Sequence, residues 1–123
     1  MPDGYLLLRD LLPYKTALEL SGYIWKIYER LDWHDHKIIG DQFITSVDST
    51  GANIAEGYGR YHYLDRIKFY YNARGSALEA KHWTLLLYER KKVSREEYDY
   101  LIAQLNQLHF QLNSFIKACY PKK

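Results

Sequence analysis

One cysteine, three prolines and seven glycines are all that 123 residues contain of the types that staple, kink or loosen a chain. A lone Cys119 excludes an internal disulfide and a zinc site built on cysteines, so a reducing cytoplasm is the expected setting. No run comes near the eighteen or so consecutive apolar residues that a membrane helix needs. Leu6-Leu7-Leu8 is bracketed by Asp3, Arg9 and Asp10, without the basic lead and longer apolar stretch of a secretory signal. No membrane partner is expected.

A dominant charge is lacking too: 17 basic and 15 acidic side chains leave a net +2. The distribution is less even than the total. Residues 1–59 carry 5 basic and 9 acidic groups, residues 60–92 carry 8 and 3, and residues 93–123 carry 4 and 3. A basic middle is compatible with an acidic partner but too modest to demand one.

Rings are abundant, with 13 Tyr, 3 Trp and 4 Phe, and hydrophobic residues make up 47%. That is globular usage at a length suited to one domain, residues 1–123. Few breakers and many apolar rings predict long regular elements.

Four helices are predicted, over about residues 13–31, 41–58, 64–90 and 95–119. In the last, Ser94 and Glu97 have capping-box spacing. Tyr98, Leu101, Leu105, Leu108, Leu112, Phe115 and Cys119 then follow at steps of three and four, the period of one buried helix face. In the first, Tyr14, Ala17, Ser21, Ile24, Tyr28 and Leu31 repeat that period, with Leu18 and Trp25 widening the stripe. Asp32 to Lys37 reads as a polar connection. The second helix has a thin apolar face, Phe43, Val47, Thr50 and Ile54, beside Gly51 and Gly57. A glycine inside a helix points to a close approach by another segment; Gly57 and Gly59 could instead let the helix end and turn.

The third helix carries two stripes. Phe69, Ala73, Ser76, Ala80, Trp83 and Leu87 form one; Ile67, Tyr71, Arg74, Leu78, Lys81, Leu85 and Tyr88 form the other, about 160° away at 100° per residue. A helix in a monomeric bundle needs one apolar face, so the second predicts self-association. No period-two pattern and no βαβ alternation occur. The fold class that follows is all-α, an antiparallel up-down-up-down four-helix bundle.

Catalytic signatures are wanting. There is no nucleophile elbow, phosphate loop or nucleotide-binding glycine pattern. Ser49, Glu56 and His62 are too common as residue types to argue a catalytic set. His34-Asp35-His36 beside Asp32 suggests metal ligands, but the Glu-x-x-His pattern of metal sites in bundles is absent. The expectation is no enzyme, no metal and no cofactor.

Arg74 and Lys81 interrupt an apolar stripe, which is costly unless they are paired. Asn53, Glu56, Arg74 and Glu79 are therefore predicted to form a partly buried polar network, within a chain or across subunits, with anion binding by Arg74 as the functional alternative. From Tyr58 to Tyr71, rings alternate with bases. Stacking rings beside cations is how single strands are held without sequence preference. Arg60, Tyr61, Tyr63, Arg66 and Lys68 are the candidate nucleic-acid contacts, with Arg90, Lys91 and Lys92 at the far end of the helix.

Two segments carry a family resemblance. Ser49-x-x-x-Asn53-Ile54-Ala55-Glu56-Gly57-Tyr58-Gly59-Arg60 and Ala73-Arg74-Gly75-Ser76-x-x-Glu79 resemble the two motifs of the bacterial four-helix-bundle proteins named after 23S ribosomal-RNA intervening sequences. The resemblance runs from about Leu12 to Cys119. It implies a left-handed bundle that assembles into a ring, typically of five subunits. Relatives include accessory proteins of diversity-generating retroelements, which bind nucleic acid and a reverse transcriptase. The implied function is a non-enzymatic homo-oligomeric scaffold for RNA, DNA or a reverse transcriptase; the alternative is a pure protein–protein assembly module. This chain departs from the pattern at Ile44 and Thr45, where many relatives carry two arginines, at Asp48 and Gly51, and at Arg66, Tyr70 and Asn72. Loss of the arginine pair shifts attention to the basic residues of the third helix and its flanks.

Overall fold

The computed structural model describes residues 7–121. Asp3 and Leu6, at the leucine run, lie outside them. Among the described residues the chain is all-helical, without strands. Four long helices carry it: α1 (Leu12–Arg30), α2 (Asp41–Tyr58), α3 (Tyr63–Glu89) and α4 (Arg95–Cys119). α1 and α3 each pack on α2 and α4, which leaves α1 and α3 diagonal across a four-helix bundle.

Local chemistry sets the helix ends. At α4, the Ser94 hydroxyl accepts from the Glu97 N–H (3.1 Å) and the Ser94 N–H donates to Glu97 Oε1 (2.8 Å), the reciprocal pair that their spacing predicts. At α1, Pro13 sits in the first turn, where its missing N–H has no partner to lose. The end of α3 is a left-handed closure. Lys91 has φ 59°, its N–H donates to the Tyr88 carbonyl (3.0 Å), and the Lys92 N–H reaches back to the Leu87 carbonyl (2.8 Å).

The segment Asp32 to Lys37 corrects the sequence reading. It is helical: Asp32 accepts from the Asp35 N–H (2.8 Å) and caps a turn over Trp33–Asp35, a π-helical turn follows over His36–Gly40, and α2 continues from it. Polar composition hid a capped helix start.

The core holds Leu20, Ile24, Ile27, Phe43, Val47, Ile54, Leu87, Leu101, Leu108 and Leu112, all essentially sealed from water. All four residues expected on the α2 face are buried. On α1 the stripe widens on the other side from the one expected: Leu20 and Ile27 are buried, whereas Leu18 and Trp25 are exposed. On α3 the buried line is Ile67, Tyr70, Ala73, Ala77, Ala80, Thr84 and Leu87; it takes Ala73, Ala80 and Leu87 from the first expected stripe and Ile67 from the second. Neighbouring helices absorb much of both. Ser76 bonds Ser49 of α2 (3.2 Å), while Lys81 bonds Asn106 of α4 (2.8 Å) and Tyr88 stacks on Tyr98 at 4.3 Å. Tyr71, Leu78 and Leu85 are left exposed, with Leu64 one heptad before them.

Candidate nucleic-acid interface

α2 ends at Tyr58, Gly59 caps it, and the chain reverses over three residues before α3 starts at Tyr63. So short a link cannot fold its side chains inward. Tyr61 is 88% exposed, which leaves nearly a whole ring for an incoming base, and it meets His62 edge-on at 5.2 Å. Tyr63 is exposed on the first turn of α3.

Three cations share this corner. The Arg60 guanidinium lies 4.8 Å from the Phe69 ring and 3.1 Å from Glu56 Oε2. Arg66 Nε donates to the Arg60 carbonyl (2.6 Å), and Lys68 Nζ stands 5.9 Å from the same Phe69 ring. Exposed ion pairs such as Arg60–Glu56 contribute little, so Arg60 can exchange that carboxylate for a phosphate, which its planar fork binds in bidentate fashion. Arg60, Tyr61, Tyr63, Arg66 and Lys68 thus stand at one end of the bundle.

Arg90, Lys91 and Lys92 do not join them. The 27 residues of α3 separate the two groups by about 40 Å. Lys92 is also engaged: its Nζ lies 2.9 Å from Asp35 Oδ2, and that hydrogen bond holds the amine above its ordinary range. Arg90 and Lys91 are exposed at the α3–α4 turn.

Nor do Asn53, Glu56, Arg74 and Glu79 form one network within the chain. Asn53 Nδ2 donates to the Ser49 carbonyl (2.9 Å), Glu56 pairs with Arg60, Arg74 Nη1 donates to Asn113 Oδ1 (2.8 Å), and Glu79 accepts from Trp83 Nε1 (3.0 Å). The physical reason is exposure: Glu56 and Glu79 reach water on the surfaces of α2 and α3, and Arg74 needs no carboxylate while the Asn113 carboxamide and the Tyr71 ring hold it.

The histidines near Asp32 are likewise committed or apart. The His36 ring stacks on Tyr28 at 4.0 Å with Nε2 2.6 Å from the Tyr28 carbonyl, and His34 is exposed. Among the described residues, no three His, Cys, Asp or Glu side chains come together as metal ligands would. Ser49 hydrogen-bonds Asn53 and Ser76, not a histidine.

Sequence reading passed over a groove of about 540 Å³ between α3 and α4. Tyr71 and Arg74 form one wall; Phe110, Asn113, Lys117 and Tyr120 form the other. The one signal for it was Phe110, a large ring in α4 that falls outside the seam running through Leu105, Leu108 and Leu112.

Residues 9–114 match the family described as 23S rRNA-intervening sequence protein. The chain belongs to that family. A solved structure described as a protein with unknown function from the S23 ribosomal protein family of Bacteroides thetaiotaomicron VPI-5482 is similar, with TM-score 0.81 and 26% identity. The likeness covers 89% of this chain and 98% of that one. No curated protein matches. The matched stretch includes the whole corner from Arg60 to Lys68, both motifs quoted above, and the groove as far as Ser114; Lys117 and Tyr120 follow it. Among the described residues, no helix is long and apolar enough to cross a membrane.

Proposed function

We propose that this protein is a non-catalytic, cytoplasmic scaffold that assembles with copies of itself and holds nucleic acid at the α2–α3 corner. The corner carries the reading: Tyr61 is bare beside Arg60, Arg66 and Lys68, around a Phe69 ring that orders two of those cations. Rings for bases beside cations for phosphates are the two components of single-strand binding.

The reading takes the bundle as antiparallel, up-down-up-down. Thr16 near the start of α1 bonds Gln111 late in α4, and Arg30 at the end of α1 bonds Glu97 at the start of α4. Ser21 with Asp48, and Tyr28 with Asp41, give the same opposed order for α1 and α2. Self-assembly is supported by two exposed apolar faces on diagonal helices, Leu18 and Trp25 on α1, Leu78 and Leu85 on α3. Two different faces on opposite sides suit a head-to-tail contact, which closes into a ring when the rotation allows. Five subunits is the number that the resemblance implies. Each subunit adds one corner, so modest charge per chain becomes multivalent. A reverse transcriptase is the protein partner that the same resemblance suggests.

The test is anisotropy of a labelled single-stranded RNA across a salt series. Arg60→Ala with Tyr61→Ala should weaken binding about tenfold and flatten its salt dependence, since stacking on one ring is worth about 1–3 kcal/mol per base. Unchanged binding and slope would refute the corner. The rival, a pure assembly module, is favoured by the same Leu78 and Leu85 stripe; it predicts a stable multimer that ignores RNA and DNA at every salt concentration.

A further inference from the structure

We infer that the α3–α4 groove is a second binding surface for single-stranded RNA, continuous with the corner and reading bases between Phe110, Tyr71 and Tyr120. The inference rests on the proposed function and extends it to residues outside the Arg60–Lys68 cluster.

Four observations support it. Phe110 is 69% exposed in the middle of α4, a large ring in water with no role in the core. The Arg74 guanidinium lies 4.6 Å from the Tyr71 ring and is fixed by Asn113 Oδ1 at 2.8 Å. A ring already carrying a guanidinium is ordered before a ligand arrives, which lowers the entropy lost on binding. Among the described residues no carboxylate lines the groove, whereas Arg74 and Lys117 do, so its charge complements a phosphodiester chain. Tyr120 ties the groove to the corner: its phenol is held above the ordinary range chiefly by Tyr71, with burial and Tyr63 adding to the effect. Tyr120, Tyr71 and Phe110 line the groove together, and Tyr63 of the corner is close enough to Tyr120 to act on its phenol. With its oxygen taken by Arg74, the Asn113 carboxamide presents N–H donors at the wall, where a ribose 2′-hydroxyl can accept.

Phe110→Ala and Arg74→Gln, each in the full chain, are compared with the Arg60→Ala/Tyr61→Ala pair by anisotropy of a labelled mixed-sequence single-stranded RNA. Particle mass is followed by light scattering and folding by circular dichroism. Phe110→Ala should fold normally, keep the wild-type particle mass and bind RNA roughly five- to fifty-fold more weakly. A DNA strand of the same sequence should compete several-fold less well than RNA. Wild-type affinity in Phe110→Ala alongside weakened binding in the corner variant overturns the groove and leaves the corner standing. Weakened binding in Phe110→Ala with none in the corner variant does the reverse. A reduced particle mass in a folded Phe110→Ala would make the groove a contact between copies and overturn the inference, as equal competition by DNA would overturn its assignment to RNA.

Discussion

Tyr70 fills the space where Gly57 would carry a side chain. A Cβ built on Gly57 would stand 2.7 Å from Tyr70 Cε1, 2.9 Å from Cδ1 and 3.1 Å from the Phe69 Cβ. Tyr70 is buried and edge-on to Phe115 at 5.7 Å, so its ring has little room to retreat. Gly57→Ala should destabilise the protein by about 1–3 kcal/mol, the usual cost of overpacking a tight core. Phe69 is the ring under the Arg60 guanidinium, so the same substitution should also weaken RNA binding. Chemical denaturation and RNA anisotropy on one preparation check both; a wild-type midpoint would contradict the packing account.

Gly75 lies at the other extreme. A Cβ added there would meet nothing within 4 Å, and Gly75 is exposed in the middle of α3. Alanine is favoured over glycine in helix interiors by about 1 kcal/mol. Gly75→Ala should therefore raise the melting temperature by roughly 2–8 °C. A lowered melting temperature with loss of assembly would mean instead that another copy packs closely over Gly75.

Lys91 holds a left-handed conformation, φ 59°, at the position after the α3 cap where glycine is favoured. Relief of that penalty should make Lys91→Gly more stable by about 1 kcal/mol. Since the turn is some 40 Å from the corner, about the length of α3, RNA affinity should hardly change, and the substitution serves as a charge-removing control. A large loss of affinity in thermally stabilised Lys91→Gly would restore the far end of α3 to the binding surface.

Stability should fall at both pH extremes for identifiable reasons. The hydrogen bond from Arg30 holds the Glu97 carboxyl below its ordinary value of 4.5. A lowered folded-state value means stabilisation present at neutral pH and lost as pH falls below that ordinary value. Arg30→Ala should give a shallower acid limb. Burial pushes the Tyr70 phenol from 10.0 up to about 12, with Cys119 adding and Arg66 opposing. Between those values the unfolded chain has released a proton that the folded chain retains, so stability drops as pH rises, by at most about 1.4 kcal/mol per unit. Tyr70→Phe should move the alkaline unfolding midpoint upward; an unmoved midpoint would mean that another tyrosine sets it.

Periodicity made the helices legible, but not which flank of each stripe is buried. Leu18 and Trp25 satisfy the α1 period as well as Leu20 and Ile27 do. Only the positions of α2 and α4, felt through contacts such as Thr16 with Gln111, decide between them. The α3 stripes were legible as apolar, and Ala73, Ala80 and Leu87 are buried while Tyr71, Leu78 and Leu85 stay exposed; what periodicity could not show is that α4 takes up Lys81 and Tyr88 of the second stripe. The helical turn after Asp32 was hidden by polar composition, its cap being a single carboxylate. The corner cluster could be read because Arg60 to Lys68 are contiguous. The groove could not, since Tyr71 and Phe110 come to line one groove only once α3 and α4 are packed.

The most direct test of an assembling RNA scaffold is particle mass by light scattering coupled to gel filtration, with labelled single-stranded RNA at low and high salt. The account predicts a multimer at both, carrying RNA at low salt and releasing it as counterions compete for the phosphates. A monomer, or a multimer that carries no RNA at low salt, would contradict it.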